Sequence, residues 1–297
     1  MFRNIIQNFQ EVFCLSPKPL AYVNGEFEDL ENAKVDALDR GFIYGDGLYE
    51  VVAIYGGKLY QIDEHLERYK NGAEEMLFEN YPAPEEIKKI SHELLEKSGI
   101  KEGIIYLEVT RGTAPRKHSF PEPQKPNLFM FAKEAPRPDA EFKNNGIKTI
   151  LVPDERWNRC NVKSINLLPN CFYKEKANRE GAYEAIQVHR LGVTEGTSTN
   201  VFGVKDGVVY TAPTGQRILP GITRDTILKL ADRIGIKVVE KFLSPEELYN
   251  CDEVFISSTT IKILPVKQID QVTFPVSDYK TTFVLQEELE KYTLENR

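Results

Sequence analysis

The chain has 297 residues, of which 41% are hydrophobic and 28% charged, and its formal net charge is −7. This composition is typical of a soluble globular protein with room for two domains, and the acidic balance disfavours a nucleic-acid-binding surface. No apolar run is long enough to span a membrane, and the four cysteines and four histidines lack the spacing of a zinc site or a disulfide framework. We therefore expect a cytoplasmic protein with no metal site and with neither nucleic acid nor a membrane as a partner.

Residues 1–19 are predicted to form a separate N-terminal extension. Apolar residues recur at helical spacing from Phe2 to Phe13, and two prolines, Pro17 and Pro19, end the pattern. Asn and Gln interrupt the apolar residues and no small-residue cleavage site follows, which disfavours a signal peptide. We predict a short amphipathic helix that packs on the body of the protein or on a partner subunit.

Residues 20–138 are predicted to form a small α/β domain. The Asn24-Gly25 pair between apolar residues is a strong signal for a β-hairpin. Helical periodicity runs from Asp63 to Phe78 and again from Pro84 to Ser98, where the following glycine is a suitable stop. The apolar run Ile104–Thr110 indicates a strand.

The proline-rich and polar stretch from Pro136 to Asn145 is interpreted as a stiff linker. We therefore place a domain boundary between residues 138 and 139. The larger second domain is predicted to comprise residues 139–297.

Arg116 and His118 follow the strand that ends at Thr110 and lie two positions apart. In an extended chain, residues i and i+2 point to the same side. A guanidinium group and an imidazole that point together suit a carboxylate, which arginine can hold in two parallel hydrogen bonds. A polar loop tip with no ligand explains the same pattern, so both interpretations stay open at this point.

Lys163 is the single charged residue in the otherwise apolar stretch from Val162 to Pro169. A lysine amine in such surroundings can attack a carbonyl carbon and form a Schiff base. The alternative is an ordinary lysine whose stem covers apolar surface while its ammonium group reaches water.

Three other features contain residues suited to binding an anion or a polar ring. Glu195 is followed by small hydroxyl residues up to Asn200, which alone indicates only a turn. The segment Gly221-Ile222-Thr223 opens a helix whose free N–H groups can bind phosphate, although a helix cap at Thr223 explains the same residues. The run Ser257–Thr260 follows a predicted strand and can add hydroxyl donors to the same anion.

Seven segments occur in the order and spacing of one known family, and they lie between about Leu20 and about Pro265. They are Asp39–Glu50, Glu64–Arg68, Val109–His118, Arg156–Ser164, Val193–Asn200, Gly221–Arg224 and Ser258–Thr260. As a set they resemble the fold-type IV (class IV) aminotransferases that use pyridoxal phosphate, and within that family most closely the D-amino acid aminotransferases. The resemblance implies a mixed α/β, two-domain fold with the cofactor at the domain interface of a homodimer.

The resemblance also implies roles for individual residues in binding the cofactor. Lys163 would hold pyridoxal phosphate as a Schiff base and then move the substrate proton, and Glu195 would pair with the pyridine nitrogen. Arg68 would bind the phosphate. Further implied contacts with the phosphate are those of Ile222, Thr223, Ser258 and Thr259. Leu219 would pack against the face of the ring, and Arg156 would lie near its phenolic edge.

For the substrate, the resemblance implies that Tyr49, Arg116 and His118 bind the α-carboxylate. Arg116 and His118 would reach in from the neighbouring subunit of the homodimer. The side of the cofactor on which this clamp lies determines which enantiomer presents its α-hydrogen to the lysine. The position of the clamp in the resembled enzymes implies D-amino acids. Arg111, close to the clamp in sequence, is instead expected to form an ion pair that stabilises the fold.

The implied reaction transfers the amino group of D-alanine or another D-amino acid to 2-oxoglutarate and gives a 2-oxo acid and D-glutamate. An L-branched-chain aminotransferase or a 4-amino-4-deoxychorismate lyase of the same fold is the alternative, although neither typically has the Pro-Arg-x-His arrangement that ends at His118. A dimeric protein that binds pyridoxal phosphate without turnover is the alternative from another class. Thr197 and Thr199 stand where the resembled enzyme has serines, so the preference for substrate side chains is left open.

Overall fold

The computed structural model describes residues 19–297, and the helix predicted near the N-terminus lies outside these residues. The described strands form two sheets, one from residues 20–134 and one from residues 147–273. Helices pack against both sheets, so the mixed α/β fold predicted from the sequence is confirmed. The domain boundary after residue 138 stays a prediction.

The first sheet and its helices come from the N-terminal half of the chain. In chain order the elements are β1 (Leu20–Val23), β2 (Glu26–Asp29), α1 (Arg40–Tyr44), β3 (Gly47–Tyr55), β4 (Lys58–Leu59), α2 (Ile62–Glu75), α3 (Pro84–Ser98), β5 (Gly103–Thr110) and β6 (Asn127–Glu134). The strand order is β2-β1-β6-β5-β3-β4, and neighbouring strands are antiparallel. The long pairing of β3 with β5 places the start of β3 beside the end of β5.

Local signals in the sequence explain the elements around this sheet. The predicted hairpin at Asn24-Gly25 joins β1 and β2. Helix α3 has Pro84 at its first position and Gly99 in the left-handed conformation (φ 67°) at its end, as predicted. Ile87 and Leu94 of this helix are fully buried in a core that also contains residues of α2 and β5. The apolar stripe therefore determines which face of the helix meets the sheet.

The second sheet and its helices form the C-terminal half. In chain order the elements are α4 (Ala140–Asn145), β7 (Ile147–Pro153), α5 (Leu168–Arg179), β8 (Glu184–His189), β9 (Gly192–Gly196), β10 (Asn200–Lys205), β11 (Val208–Thr211), α6 (Ile222–Arg233), β12 (Val238–Glu240), α7 (Pro245–Tyr249), β13 (Glu253–Ser258), β14 (Lys262–Ile269), β15 (Val272–Thr273) and α8 (Thr281–Glu295). The main strand order is β12-β11-β10-β13-β14-β7-β8-β9, and β15 pairs with β14. Because β9 also pairs with β10, the sheet closes on itself. Each of the six strands β10, β13, β14, β7, β8 and β9 is paired with two others of this set.

The interpretation of Pro136–Asn145 as a linker was wrong in its second half, where the chain forms helix α4. The helix has Glu141 in its first turn and Lys143 in its last turn, which suits the helix dipole. Phe142 packs against the ring of Tyr183, with ring centroids 5.5 Å apart, and joins the core of the second sheet. The contact joins residues that are far apart in sequence, and the composition of the segment itself is polar. The sequence pattern therefore did not predict this helix.

Arg111 forms the ion pair that was expected of it. Its side chain is fully buried, and its Nε lies 3.0 Å from the carboxylate of Asp46. Its Nη atoms donate to the carbonyls of Met76 and Leu77, and its guanidinium carbon lies 3.6 Å from the centroid of the Phe120 ring. Arg111 therefore joins the end of β5 to the end of α2 and does not enter a binding site.

We predict that Arg111→Leu lowers the free energy of unfolding by about 1.5–3 kcal/mol, because it removes the hydrogen bonds that a fully buried guanidinium donates to Asp46 and to the carbonyls of Met76 and Leu77. Arg40 still donates to Asp46 in this variant. Urea denaturation measures the loss. The control is Lys205→Met, which removes a half-exposed pair with Asp252 and should cost less than about 1 kcal/mol. Equal losses in the two variants would contradict the role assigned to Arg111.

Candidate active site

A cleft of about 920 Å³ is lined by residues from both halves of the chain. Ten of the twelve site residues predicted from the sequence line it: Tyr49, Arg68, Arg156, Lys163, Glu195, Leu219, Ile222, Thr223, Ser258 and Thr259. The other two, Arg116 and His118, are exposed and do not line this cleft. The cleft thus collects side chains that lie far apart in sequence.

Lys163 and Tyr49 meet because the lysine segment runs beside β3. The Tyr49 N–H donates to the Lys163 carbonyl (3.0 Å), and a further backbone bridge joins Leu48 to Ser164. These contacts place the Lys163 Nζ 4.2 Å from the centroid of the Tyr49 ring. The Tyr49 ring also stacks with that of Tyr106, with ring centroids 5.8 Å apart. Backbone pairing therefore determines where the amine lies.

Arg68 also lines the cleft, and the buried carboxylate of Glu50 holds its side chain. Its Nε and Nη2 donate to the two Glu50 oxygens at 2.7 and 2.6 Å, and its Nη1 donates to the Pro220 carbonyl at 2.9 Å. His65 Nδ1 lies 2.7 Å from the same Glu50 carboxylate. Burial by itself raises the pKa of Glu50, but the adjacent Arg68 and His65 lower that pKa well below its usual range. Glu50 and His65 were not predicted as site residues, although the spacing of His65 and Arg68 on one helix face offered a signal.

This lowered pKa has a consequence for acid stability. Because the pKa of Glu50 in the fold lies below its usual value near 4.5, the unfolded chain binds more protons than the fold in acid. The stabilisation by Glu50 is then fully present above about pH 4.5 and is lost as the pH falls further. We predict that the difference in free energy of unfolding between wild type and Glu50→Gln narrows below that pH. Urea denaturation over a pH series measures it, and Glu93→Gln, which removes an exposed pair with Lys97, is the control. A difference that does not change with pH would contradict the prediction.

Glu195 lies where β9 and β10 meet. It is opposite Asn200, whose Nδ2 donates to its carboxylate at 3.2 Å, and the Leu219 N–H donates to the same carboxylate oxygen at 3.0 Å. Arg156 forms an ion pair with Glu195, and Asp154 holds the other edge of that guanidinium at 2.8 and 2.9 Å. Burial raises the pKa of Glu195, and the pairing with Arg156 opposes this rise.

The structure places Arg156 beside Glu195, and its expected contact with the cofactor stays a prediction. The resemblance implied an arginine near the phenolic edge of a bound ring. In the structure its guanidinium contacts Glu195, the residue expected to pair with the ring nitrogen. The reason is electrostatic, because two buried carboxylates, Asp154 and Glu195, lie within hydrogen-bonding distance of this one cation.

The start of α6 also lines the cleft. The residue that caps this helix is Gly221, and no side chain caps it, so the interpretation of Thr223 as a helix cap was wrong. Ile222 and Thr223 line the cleft in the first helical turn, where N–H groups lack intrahelical partners. Ser257 Oγ is buried at the same cleft and has no hydrogen-bond partner among the described residues. This donor set, with Arg68 beside it, suits a phosphate group.

Arg116 and His118 lie on the surface near Tyr44. The Arg116 guanidinium carbon is 5.7 Å from the Tyr44 ring centroid, and the His118 ring centroid is 5.8 Å from it. His118 and Tyr44 help to line a smaller cavity of about 240 Å³, which shares Tyr44 with the main cleft. One chain by itself therefore does not assemble the predicted carboxylate clamp.

Comparison with known proteins identifies the family. A family model described as amino-transferase class IV matches residues 47–269. This chain belongs to the class IV aminotransferases. The D-alanine aminotransferase of Staphylococcus haemolyticus is 44% identical over 275 residues, which are 91% of this chain and 96% of that protein. The D-alanine aminotransferase of Staphylococcus aureus strain MSSA476 is 42% identical with the same coverage.

The fold of this class IV aminotransferase is similar to that of solved structures. The branched-chain amino acid aminotransferase of Escherichia coli matches with a TM-score of 0.85 and 28% identity, over 92% of this chain and 94% of that chain. Within residues 19–297, no helix is long and apolar enough to cross a membrane. No group of three or more His, Cys, Asp or Glu side chains in the same residues is arranged to hold a metal ion.

Proposed function

We propose that this aminotransferase binds pyridoxal phosphate in the main cleft and transfers the amino group of D-alanine and other D-amino acids to 2-oxoglutarate. The products are a 2-oxo acid and D-glutamate. The observation that supports this most strongly is that Lys163, Glu195 and Arg68, which lie far apart in sequence, line one cleft. The choice of D-amino acids is supported by the similarity to proteins named D-alanine aminotransferase over 91% of the chain.

The residues of the cleft fit the chemical groups of the cofactor. Arg68, the start of α6 with Ile222 and Thr223, and the hydroxyls of Ser258 and Thr259 would hold its phosphate. Leu219 would pack against the ring, and Glu195 would accept a hydrogen bond from the ring nitrogen. When bound, pyridoxal phosphate supplies an electron sink for the pair of electrons that remains when the substrate Cα loses its proton.

Each polar residue then has a separate task. Lys163 would be the acid–base group that moves the proton of the substrate Cα, since its amine lies in the cleft beside Tyr49. Glu195 must be ionised to accept from a protonated ring nitrogen, and Arg156 stabilises that ionised form against the effect of burial. Arg68 neutralises phosphate charge, and Glu50 keeps its guanidinium oriented.

We further propose a homodimer in which Arg116 and His118 of each subunit complete the clamp in the cleft of the other. Exposed apolar side chains at the cleft support a subunit contact there, since Phe42 is 77% and Leu168 81% exposed and both line the cleft. A cytoplasmic location is also proposed, and the free cysteines Cys160, Cys171 and Cys251 are consistent with a reducing compartment.

The test uses the absorption of the purified protein loaded with pyridoxal phosphate. We predict that D-alanine converts the band of the lysine-bound cofactor into that of pyridoxamine phosphate, and that 2-oxoglutarate restores the original band. Conversion by L-leucine and not by D-alanine would contradict the choice of D-amino acids. Release of pyruvate from 4-amino-4-deoxychorismate would favour the lyase, and no response to any amine would favour a binding protein without turnover.

A further inference from the structure

Glu184 on β8 is a buried carboxylate, and the groups of the described residues that donate hydrogen bonds to it are all neutral. Its side chain has no exposed area, and it accepts hydrogen bonds from the hydroxyls of Thr197, Ser198 and Thr199. The Ser198 N–H (3.3 Å) and the Ala185 N–H (2.9 Å) also donate to it. A buried carboxylate is costly unless donors surround it. The three consecutive hydroxyls of the run after Glu195 therefore all donate to this one carboxylate.

Residues 197–199 form the turn that joins β9 to β10, and this turn lines the cleft. Other bonds tie it to the surrounding elements: the Thr197 N–H donates to the Ala185 carbonyl at 3.1 Å, and Asn170 Nδ2 donates to the Thr197 carbonyl at 2.7 Å. The residue before the turn must be glycine, because a Cβ at Gly196 would lie 2.1 Å from Thr199 Oγ1 and 3.1 Å from Glu184. The turn is thus held closely against Glu184.

The position of this turn controls the place where Glu195 meets its partners. Strands β9 and β10 pair through one residue pair, Glu195 opposite Asn200. Those two residues flank the turn directly, and Asn200 Nδ2 bonds both the Glu195 carboxylate (3.2 Å) and the Leu219 carbonyl (3.1 Å). A shift of the turn would therefore move Glu195 relative to Asn200 and to the Leu219 N–H.

We propose that Glu184 is a positioning residue that, through the hydroxyls of residues 197–199, sets the place of Glu195 toward the ring nitrogen of the cofactor. This inference rests on the proposed function of Glu195. It also gives a reason why threonine can replace serine at positions 197 and 199, since the bond to Glu184 requires only the hydroxyl.

The first test is Glu184→Gln, which keeps the shape of the side chain but removes its charge. We expect kcat for D-alanine to fall roughly ten- to a hundred-fold with KM nearly unchanged, because a displaced Glu195 affects the chemical step and not the carboxylate clamp. Two readouts do not depend on turnover. The dissociation constant of pyridoxal phosphate from the apoprotein should rise, and the circular dichroism of the bound cofactor should change.

The matched control is Glu253→Gln. Glu253 is also buried and accepts from the N–H groups of Lys280, Thr281 and Thr282 and from the Thr282 hydroxyl, but it does not line the cleft. We expect this variant to unfold at a lower temperature with kcat, cofactor affinity and circular dichroism unchanged. The proposal is overturned if Glu184→Gln behaves in the same way, or if it matches wild type in all three readouts.

A second variant, Thr197→Val, removes one hydroxyl and leaves Glu184 in place. It should lower kcat and weaken cofactor binding in the same direction, and the double variant with Glu184→Gln should lose no more than the worse single variant. If the fold-losses of the two single variants multiply in the double variant, the proposal is overturned. If Glu184→Gln does not fold, the result for Thr197→Val decides by itself. Failure of wild type to convert D-alanine contradicts the proposed function instead, and the apoprotein affinities for pyridoxal phosphate still test the role of Glu184.

Discussion

Lys163→Ala is expected to abolish transamination while the cofactor still binds. The proposed role of the Lys163 amine, which lies beside Tyr49, is to move the Cα proton. Loss of a general acid–base catalyst lowers the rate about 10²–10⁴-fold. Arg68 and Glu195 remain in place, so pyridoxal phosphate should bind without a covalent bond. Stopped-flow absorption with D-alanine measures the rate, and equilibrium dialysis measures the bound cofactor.

The control for this variant is Lys176→Ala, which removes an exposed lysine from α5 and should leave the rate unchanged. Exogenous methylamine should restore part of the rate of Lys163→Ala, since a small amine can occupy the space of the missing side chain. A wild-type rate in Lys163→Ala would show that another residue moves the proton.

Arg116→Ala should raise KM for D-alanine strongly while kcat changes little. A hydrogen bond to a charged group contributes about 1.5–3 kcal/mol, which corresponds to roughly ten- to a hundred-fold in KM when ground state and transition state are bound alike. Steady-state kinetics measures both constants. Lys117→Ala, next in the chain and also exposed, is the control for a general effect on this loop.

A mixture of the Lys163→Ala and Arg116→Ala variants tests whether Arg116 acts across the proposed dimer. In a heterodimer of one Lys163→Ala subunit and one Arg116→Ala subunit, one cleft has both residues intact if Arg116 comes from the partner. Random reassociation should then restore about a quarter of wild-type activity at a D-alanine concentration far below the raised KM. If Arg116 serves the cleft of its own subunit, neither cleft is complete and the mixture stays inactive.

Sequence patterns predicted the local elements well where neighbouring residues determine them. Pro84 and Gly99 bound a helix because proline suits its first turn and glycine tolerates the left-handed conformation at its end. The same reasoning failed for Ala140–Asn145, where the packing of Phe142 on Tyr183 stabilises a helix in a polar segment. Such a contact joins residues too far apart in the chain for a periodicity to show it.

The candidate site shows the same division. The roles of Lys163 and Glu195 were implied by the resemblance of an ordered set of motifs to one family, and both residues line the cleft. Glu50 and Glu184 were missed as supporting residues, because a glutamate in a strand gives no sign of the donors that will surround it. Those donors, Arg68 for Glu50 and the 197–199 turn for Glu184, reach them only through the fold.

The amino-acid sequence alone was sufficient to indicate the family, the candidate lysine and most of the residues that line the cleft, since ordered motifs and local capping signals depend on short stretches of chain. Only the tertiary structure decided which charges meet. It paired Arg156 with Glu195 and Asp154, and it left Arg116 on the surface, away from the main cleft. The physical reason is that the partner of a buried charge depends on the groups that folding brings within about 3–4 Å, and sequence spacing does not determine that distance.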